Sequence, residues 1–156
     1  ITVKEERTHI ESYLEIQQFR YQDILDYEIQ MDEEIYGYII PKLTLQPLVE
    51  NALYHGIKNK RGKGKILITG KKQGDKIIFQ VIDNGKGMTE EELNSLRKKM
   101  AGTDTGDEAK GFGVSNVNQR IKYYYGEEYG VFFESKENEG TNATIIIAAK
   151  NIQLPS

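Results

Sequence analysis

At 156 residues, with 38% hydrophobic and 29% charged side chains, the chain is long enough for one compact core and too apolar for a disordered segment. A net charge of −3, from 21 basic and 24 acidic residues scattered in both signs, leaves no basic footprint for nucleic acid or an anionic membrane surface. Cysteine is absent and histidine occurs twice, which excludes disulfides, thiolate zinc sites and cysteine nucleophiles, so any metal here is oxygen-bound.

From Val3 to Tyr21 apolar residues including Ile10, Tyr13 and Leu14 recur at helical spacing among charges, which predicts an amphipathic helix. No apolar run approaches the ~18 residues of a membrane span, and an opening at Ile1 inside a helical pattern reads as a piece cut from a longer protein. Asp26 to Asp32 alternates Tyr27, Ile29 and Met31 with polar residues, as a half-buried strand does. After Pro41, the residues Leu45, Leu48, Val49, Ala52, Leu53 and Gly56 fall on one helical stripe, with Thr44 the expected N-cap and Pro47 tolerated in the first turn. A basic glycine-rich loop, Asn59 to Gly64, follows. Lys65 to Lys72 and Lys76 to Asp83 read as two strands joined through Gln73, Gly74 and Asp75, the second apolar on both faces and therefore central.

Thr89 before three glutamates opens a short helix that fades near Ala101. The polar, aperiodic tract Gly102 to Lys110 is the expected mobile loop. Helix returns from Gly113 to Tyr125 and stops at Gly126. Two last strands, Gly130 to Ser135 and Thr141 to Lys150, form a hairpin around Asn138 to Gly140. This order lacks the βαβ alternation of a doubly wound sheet. It predicts an α+β fold in two layers, a mixed sheet with helices on one face.

Both common nucleotide fingerprints are missing: there is no G-x-x-x-x-G-K-[ST], and Gly111-Phe112-Gly113 leads to Asn116 where a dinucleotide motif needs glycine. Instead three polar or glycine clusters stand at element ends, Glu50 to Gly56, Asp83 to Met88 and Gly111 to Asn116. Asn51 and His55, four apart, project from one helix ridge, and an Asn amide oxygen suits a Mg²⁺ otherwise held by substrate phosphates. The weaker alternative is that Asn51 merely satisfies a backbone group at the helix edge. Asp83 ends a buried strand before a glycine turn, where a flat ring can approach and an acceptor-only carboxylate can take a hydrogen bond from an exocyclic amine. Asp-Asn-Gly after a strand is also an ordinary turn. Gly111 to Asn116 sets a flexible loop before a helix N-terminus, which favours phosphate oxygens but also describes a plain glycine hinge.

In this order the clusters resemble the N box and the two glycine boxes of the GHKL ATPase superfamily. With the Tyr13-Leu14-Glu15-Ile16-Gln17 stretch, Ile40-Pro41-Lys42-Leu43, Leu45-Gln46-Pro47-Leu48-Val49-Glu50-Asn51-Ala52 and Gly140-Thr141, nearly the whole chain is similar to LytS/YesM-type sensor histidine kinases. The resemblance implies a GHKL-type α/β sandwich with ATP between the second helix and the sheet, under a mobile lid from about Met88 to Lys110. It implies that Asn51 holds Mg²⁺, His55 touches the nucleotide, Asp83 takes the adenine amine, Gly85 and Gly87 meet the adenine edge, Gly111 and Gly113 meet phosphates, and Thr141 contacts adenine through water. Glu50 is the N-box acid, its catalytic role open.

On the same grounds residues 1–22 are the end of a helix linking to an absent dimerisation and phosphoacceptor region, 23–150 the catalytic ATP-binding domain and 151–156 a tail. The implied function is transfer of the γ-phosphoryl group of ATP to a histidine outside the chain, in two-component signalling. The implied partners are that upstream helix and a response regulator, the parent being a homodimer at a bacterial inner or plasma membrane with this domain in the cytoplasm. Two departures stand out. Tyr54 occupies a place where many relatives carry Lys or Arg, leaving Lys58, Lys60 and Lys110 as candidate cations, and no Asn-Pro-His-Phe-like acceptor segment is present, His9 reading as a surface residue. The competing functions are an ATP-hydrolysing relative, against which Pro47 replaces the glutamate that would polarise water, and an anti-sigma-type kinase or binding module.

Overall fold

The computed structural model describes residues 1–21, 24–57, 63–101 and 112–153, with Phe112 described in its backbone alone. Helix α1, Val3–Arg20, begins at a capping box: the Thr2 hydroxyl accepts from Glu5 N, and the Glu5 carboxylate accepts from Thr2 N. Its inner stripe, Val3, Glu6, Ile10, Leu14 and Gln17, repeats close to the helical period and joins the common core. Strand β1, Leu25–Met31, then runs along one edge of the sheet.

The sheet is five-stranded in the order β1-β2-β3-β5-β4, formed with β2 (Gly64–Gln73), β3 (Lys76–Asp83), β4 (Gly130–Lys136) and β5 (Gly140–Ala148). β1 and β2 are parallel and every other pair antiparallel, so the sheet is mixed. Gln73 pairs with Lys76, which shortens the expected three-residue connection to Gly74 and Asp75, with Gly74 at φ 62° where L side chains are strained. β3 is central, as its apolar sequence predicts. Ile77, Phe79 and Val81 are buried against the helices, while Ile78, Gln80 and Ile82 on the other face are half-buried, as a two-layer fold requires.

The helices cover one face. The second helix, α2 (Gln46–Asn51), starts one residue later than Thr44 predicts: Leu45 is the N-cap and makes no side-chain cap bond, because the Thr44 hydroxyl donates to Pro41 O at 2.6 Å. Pro47 lies in the first turn, and beyond Asn51 the winding widens to a π turn over Ala52–Ile57. The predicted stripe is the buried face, with Leu45, Leu48, Val49, Ala52, Leu53 and Gly56 all inside. Helix α3, Glu90–Met100, opens on a second capping box between Thr89 and Glu92, and α4, Phe112–Tyr125, stops at Gly126 with φ 125°. The open edge of β4 is satisfied by side chains rather than by another strand: Val131 N donates to Asn118 Oδ1 at 2.9 Å, and Arg97 Nη2 donates to Phe133 O at 2.8 Å. The expected loop Gly102 to Lys110 and the basic residues Lys58 and Lys60 lie outside the described residues.

Phe79 is fully buried at the sheet centre among residues contributed by both layers. Phe79→Ala is expected to lower unfolding free energy by about 3–5 kcal/mol through lost transfer energy and the cavity left behind. Urea denaturation followed by circular dichroism measures this, and a loss below about 1 kcal/mol would contradict the assignment of the core centre.

Candidate functional site

Residues that the sequence singles out meet in a cleft of about 450 Å³ between the end of α2, the end of β3 and helix α3. Its floor is Asp83, only 6% exposed. Asp83 closes β3 and sits in register with Thr141 of β5, so a carboxylate and a hydroxyl stand side by side. One Asp83 oxygen accepts from Gly85 N at 2.9 Å. One wall carries Asn51 and His55, the other the α3 residues Glu91, Ser95, Leu96 and Lys99, and Lys86, Gly87 and Met88 form the rim.

Backbone packing holds this floor open to a flat ligand. A Cβ on Gly85 would stand 2.3 Å from Gly56 C, and one on Gly56 would stand 2.6 Å from Asp83 Oδ1. On the other side, a Cβ on Gly140 would meet Asp83 O at 2.0 Å, and Gly140 has φ 119°. The turn after Asp83 is tied at each step. Asn84 Oδ1 accepts from Lys65 N at 2.7 Å, Lys86 N donates to Gly56 O at 3.2 Å, and Lys86 O accepts from Asn138 N. Met88 N donates to Ser135 Oγ at 2.8 Å, and Ser135 Oγ lies 2.8 Å from Thr141 Oγ1 and donates to Gly140 O. Gly87, at φ 70°, threads past Lys136 O where no side chain fits. The site is therefore shaped before any ligand arrives.

Asn51, His55, Asp83, Gly87 and Thr141, five of the residues predicted from sequence, meet in this one cleft. Gly85 lies beneath its floor. Gly113 stands in the first turn of α4, facing the Pro47 side chain, rather than in the cleft wall, and Gly111 lies outside the described residues. Glu50 accepts from Gln46 Nε2 and does not line the cleft. The expected lid from about Met88 to Lys110 includes α3, but the sequence reading named none of the α3 residues as lining the cleft. Glu91, Ser95 and Lys99 are spaced four apart on the face opposite Leu93 and Met100, a periodicity that marks a second surface once a ligand is expected there. Glu92 also borders the cleft, and its backbone bond from the helix start holds its carboxyl below the usual carboxylate range. Tyr54 is directed elsewhere: burial, and then the Tyr54 phenol beside it, push the Tyr13 hydroxyl up, with Glu50 adding its charge.

Chemically the cleft presents an acceptor pair at its floor, an amide and an imidazole along one wall, and lysines at the rim and on α3. No group of three or more His, Cys, Asp or Glu side chains converges as a metal site among the described residues. A hard divalent cation here would take the Asn51 amide oxygen and draw its remaining ligands from water and a bound phosphate chain, a donor set that suits Mg²⁺.

A family model described as histidine kinase-, DNA gyrase B-, and HSP90-like ATPase matches residues 41–151. The sequence is 34% identical over 151 residues to sensor histidine kinase YesM of Bacillus subtilis, covering 97% of this chain and 24% of YesM. It is 29% identical over 153 residues to sensor protein LytS of Staphylococcus saprophyticus, covering 98% and 25%. The chain thus spans about a quarter of the length of these curated relatives. In solved structures, the nucleotide-free catalytic domain of histidine kinase ThkA shares the fold at TM-score 0.68 and 18% identity, covering 96% of this chain and 94% of that one. ThkA in complex with response regulator protein TrrA gives 0.68 at 21% identity, covering 96% and 41%.

The contact between Gly85 and Gly56 is testable on its own. Gly85→Ala forces a methyl into backbone that cannot rotate away and should cost about 1–3 kcal/mol, whereas Gly37→Ala, with nothing within 4 Å of its added carbon, should stay within about 0.5 kcal/mol. Thermal and urea unfolding of the two variants, compared with the parent, measure the difference.

Proposed function

Because the chain belongs to the histidine kinase-, DNA gyrase B-, and HSP90-like ATPase family, we propose that its cleft binds ATP with Mg²⁺ and presents the γ-phosphoryl group to a histidine of a parent sensor kinase. The observation that carries the reading is the buried Asp83 floor beside Thr141, facing Asn51 and His55 across a cleft whose glycines admit a flat ring. In this reading Asp83 accepts from the adenine amine, Thr141 serves the same edge, and Gly85 and Gly87 leave room for the ring. Asn51 supplies the protein oxygen to Mg²⁺, which offsets phosphate charge when bound, and His55 lies along the nucleotide. Gly113, in the first turn of α4, and Gly111, two positions earlier in sequence, are assigned to the phosphates, as the free N–H groups of a helix N-terminus favour.

Similarity to YesM and LytS supports a place in two-component signalling. We extend it to a phosphoacceptor helix joined to this domain through α1, to a response regulator, as ThkA is seen with TrrA, to a homodimeric parent, and to a cytoplasmic domain of a membrane sensor. Hydrolysis is the weaker reading. Pro47, one turn before Asn51, offers no carboxylate to polarise a water, which removes a contribution of about 10²-fold to 10⁴-fold.

Two outcomes follow. Asp83→Asn keeps the shape but loses the charge-assisted bond, so calorimetry should find ATP binding weakened by about 1.5–3 kcal/mol, and guanine, with a carbonyl where adenine has its amine, should be rejected by the parent. Undiminished ATP binding by the variant, or equal GTP binding, would sink the adenine assignment. Incubated with radiolabelled ATP, the chain should neither label itself nor hydrolyse ATP at an ATPase rate, since His9 is on the exposed face of α1 and His55 is held in the π turn that continues α2. A supplied acceptor helix should become labelled in trans, and acid-labile label on His9 would overturn this placement of the acceptor.

A further inference from the structure

The helix that carries Asn51 has no cap of its own. Leu45 offers no side-chain oxygen and Thr44 spends its hydroxyl on Pro41 O, yet the N–H groups of both residues are buried and need acceptors. They find them 38 and 39 positions away in sequence. Both Glu6 oxygens, on α1, accept from Thr44 N at 3.1 and 3.2 Å, and one also accepts from Leu45 N at 3.2 Å. The turn that aims these donors contains Leu43 at φ 59°, a strained backbone for a branched side chain, and Arg120 of α4 holds the same turn by donating to Lys42 O.

An apolar side chain would seal α1 against the core without desolvating a charge. Glu6 is instead a carboxylate 1% exposed, and burial pushes its carboxyl up to about 7, with the backbone N–H bonds and then the charge of Arg120 acting in opposition. The acid is therefore retained for the helix end it satisfies.

We propose that Glu6 is a positioning residue for the nucleotide site, capping from α1 the helix that presents Asn51 and His55, so that the seating of α1 sets affinity at the phosphate end of the nucleotide. This rests on reading the cleft as a nucleotide site. It divides that site into two mechanical halves. Asp83 and Thr141 are held by paired strands and meet the helical segment only at Gly56, its end far from Glu6, whereas Asn51 and His55 stand on α2 and the turn that continues it.

The test titrates the parent chain, Glu6→Gln and Glu6→Ala with MgATP by calorimetry and with adenosine by NMR shifts. Loss of a charged cap to two or three N–H groups should weaken MgATP binding about tenfold, while adenosine, which reaches the Asp83 end alone, changes less than about twofold. Amide exchange should quicken along α2 and remain slow along β3. Where Glu6→Ala fails to fold, Glu6→Gln, which keeps the shape and loses the charge, carries the measurement. Equal weakening of both ligands reduces Glu6 to a structural anchor and overturns the proposal, as does MgATP binding unchanged in Glu6→Gln. A parent chain that fails to bind MgATP at all overturns the reading of the cleft, and the Glu6 role with it.

Discussion

The contact of Gly56 with Asp83 and Gly85 is the constraint on which the cleft depends. A helix end and a strand end cannot ordinarily approach until their backbones touch, because side chains intervene. Here a Cβ at Gly85 would lie 2.3 Å from Gly56 C, and the bond from Lys86 N to Gly56 O closes the junction. The π turn over Ala52–Ile57 ends on this contact, so the widened winding, the buried carboxylate and the open floor belong to a single arrangement. Gly140 repeats the device from the hairpin side, against Asp83 O. Two backbone contacts thus hold one side chain at the floor of a cleft with its surroundings fixed, which is the preorganisation that selective recognition of a ligand edge demands.

The two walls are attached to this floor differently. The α2 wall is continuous with the constraint through Gly56 and is closed at its far end by Glu6 of α1. The α3 wall is suspended from the sheet by polar bonds, Met88 N to Ser135 Oγ before the helix and Arg97 to Phe133 O within it, with Leu93 and Met100 as its buried anchors. Two apolar anchors on an 11-residue helix make a thinner attachment than the six buried positions from Leu45 to Gly56. Conformational adjustment to a ligand is therefore cheaper on the α3 side.

Much of this was legible because periodicity and cap chemistry are local. The stripe from Leu45 to Gly56, the acidic start at Thr89 and the stop at Gly126 each follow from a few neighbouring residues, and the fold class follows from their order. Thr44 was misread for the same reason. Ser, Thr, Asn and Asp are good caps by short-range rules, but here a carboxylate 38 positions earlier in sequence supplies the acceptor, and no local rule can see it. The α3 segment was expected as part of a lid, but its lining residues were not named as such, because polar residues at four-residue spacing look the same whether they meet solvent or a ligand. The central position of β3 was right, although its second face is half-buried rather than enclosed, since hydrophobic content alone does not say how many layers cover a strand.

The fate of Tyr54 shows how a local comparison can mislead about charge. At its position a phenol looks like a missing cation, and sequence reasoning turned to Lys58, Lys60 and Lys110 to replace it. The Tyr54 side chain is absent from the cleft lining and acts instead on Tyr13 of α1, next to Glu50. The described lysines in the cleft are Lys86, on the turn after Asp83, and Lys99, on the far end of α3. Both stand on elements other than α2. The same lining carries Asp83, Glu91 and Glu92, so the α3 wall brings Lys99 together with two carboxylates, whereas the α2 side lends the Asn51 amide and the His55 imidazole. The formal charges of the cleft therefore stand on β3, the turn after it and α3, and its uncharged polar side chains on α2, its π-turn continuation, α3 and β5, so the replacement of a cation by Tyr54 on the α2 side leaves that division intact.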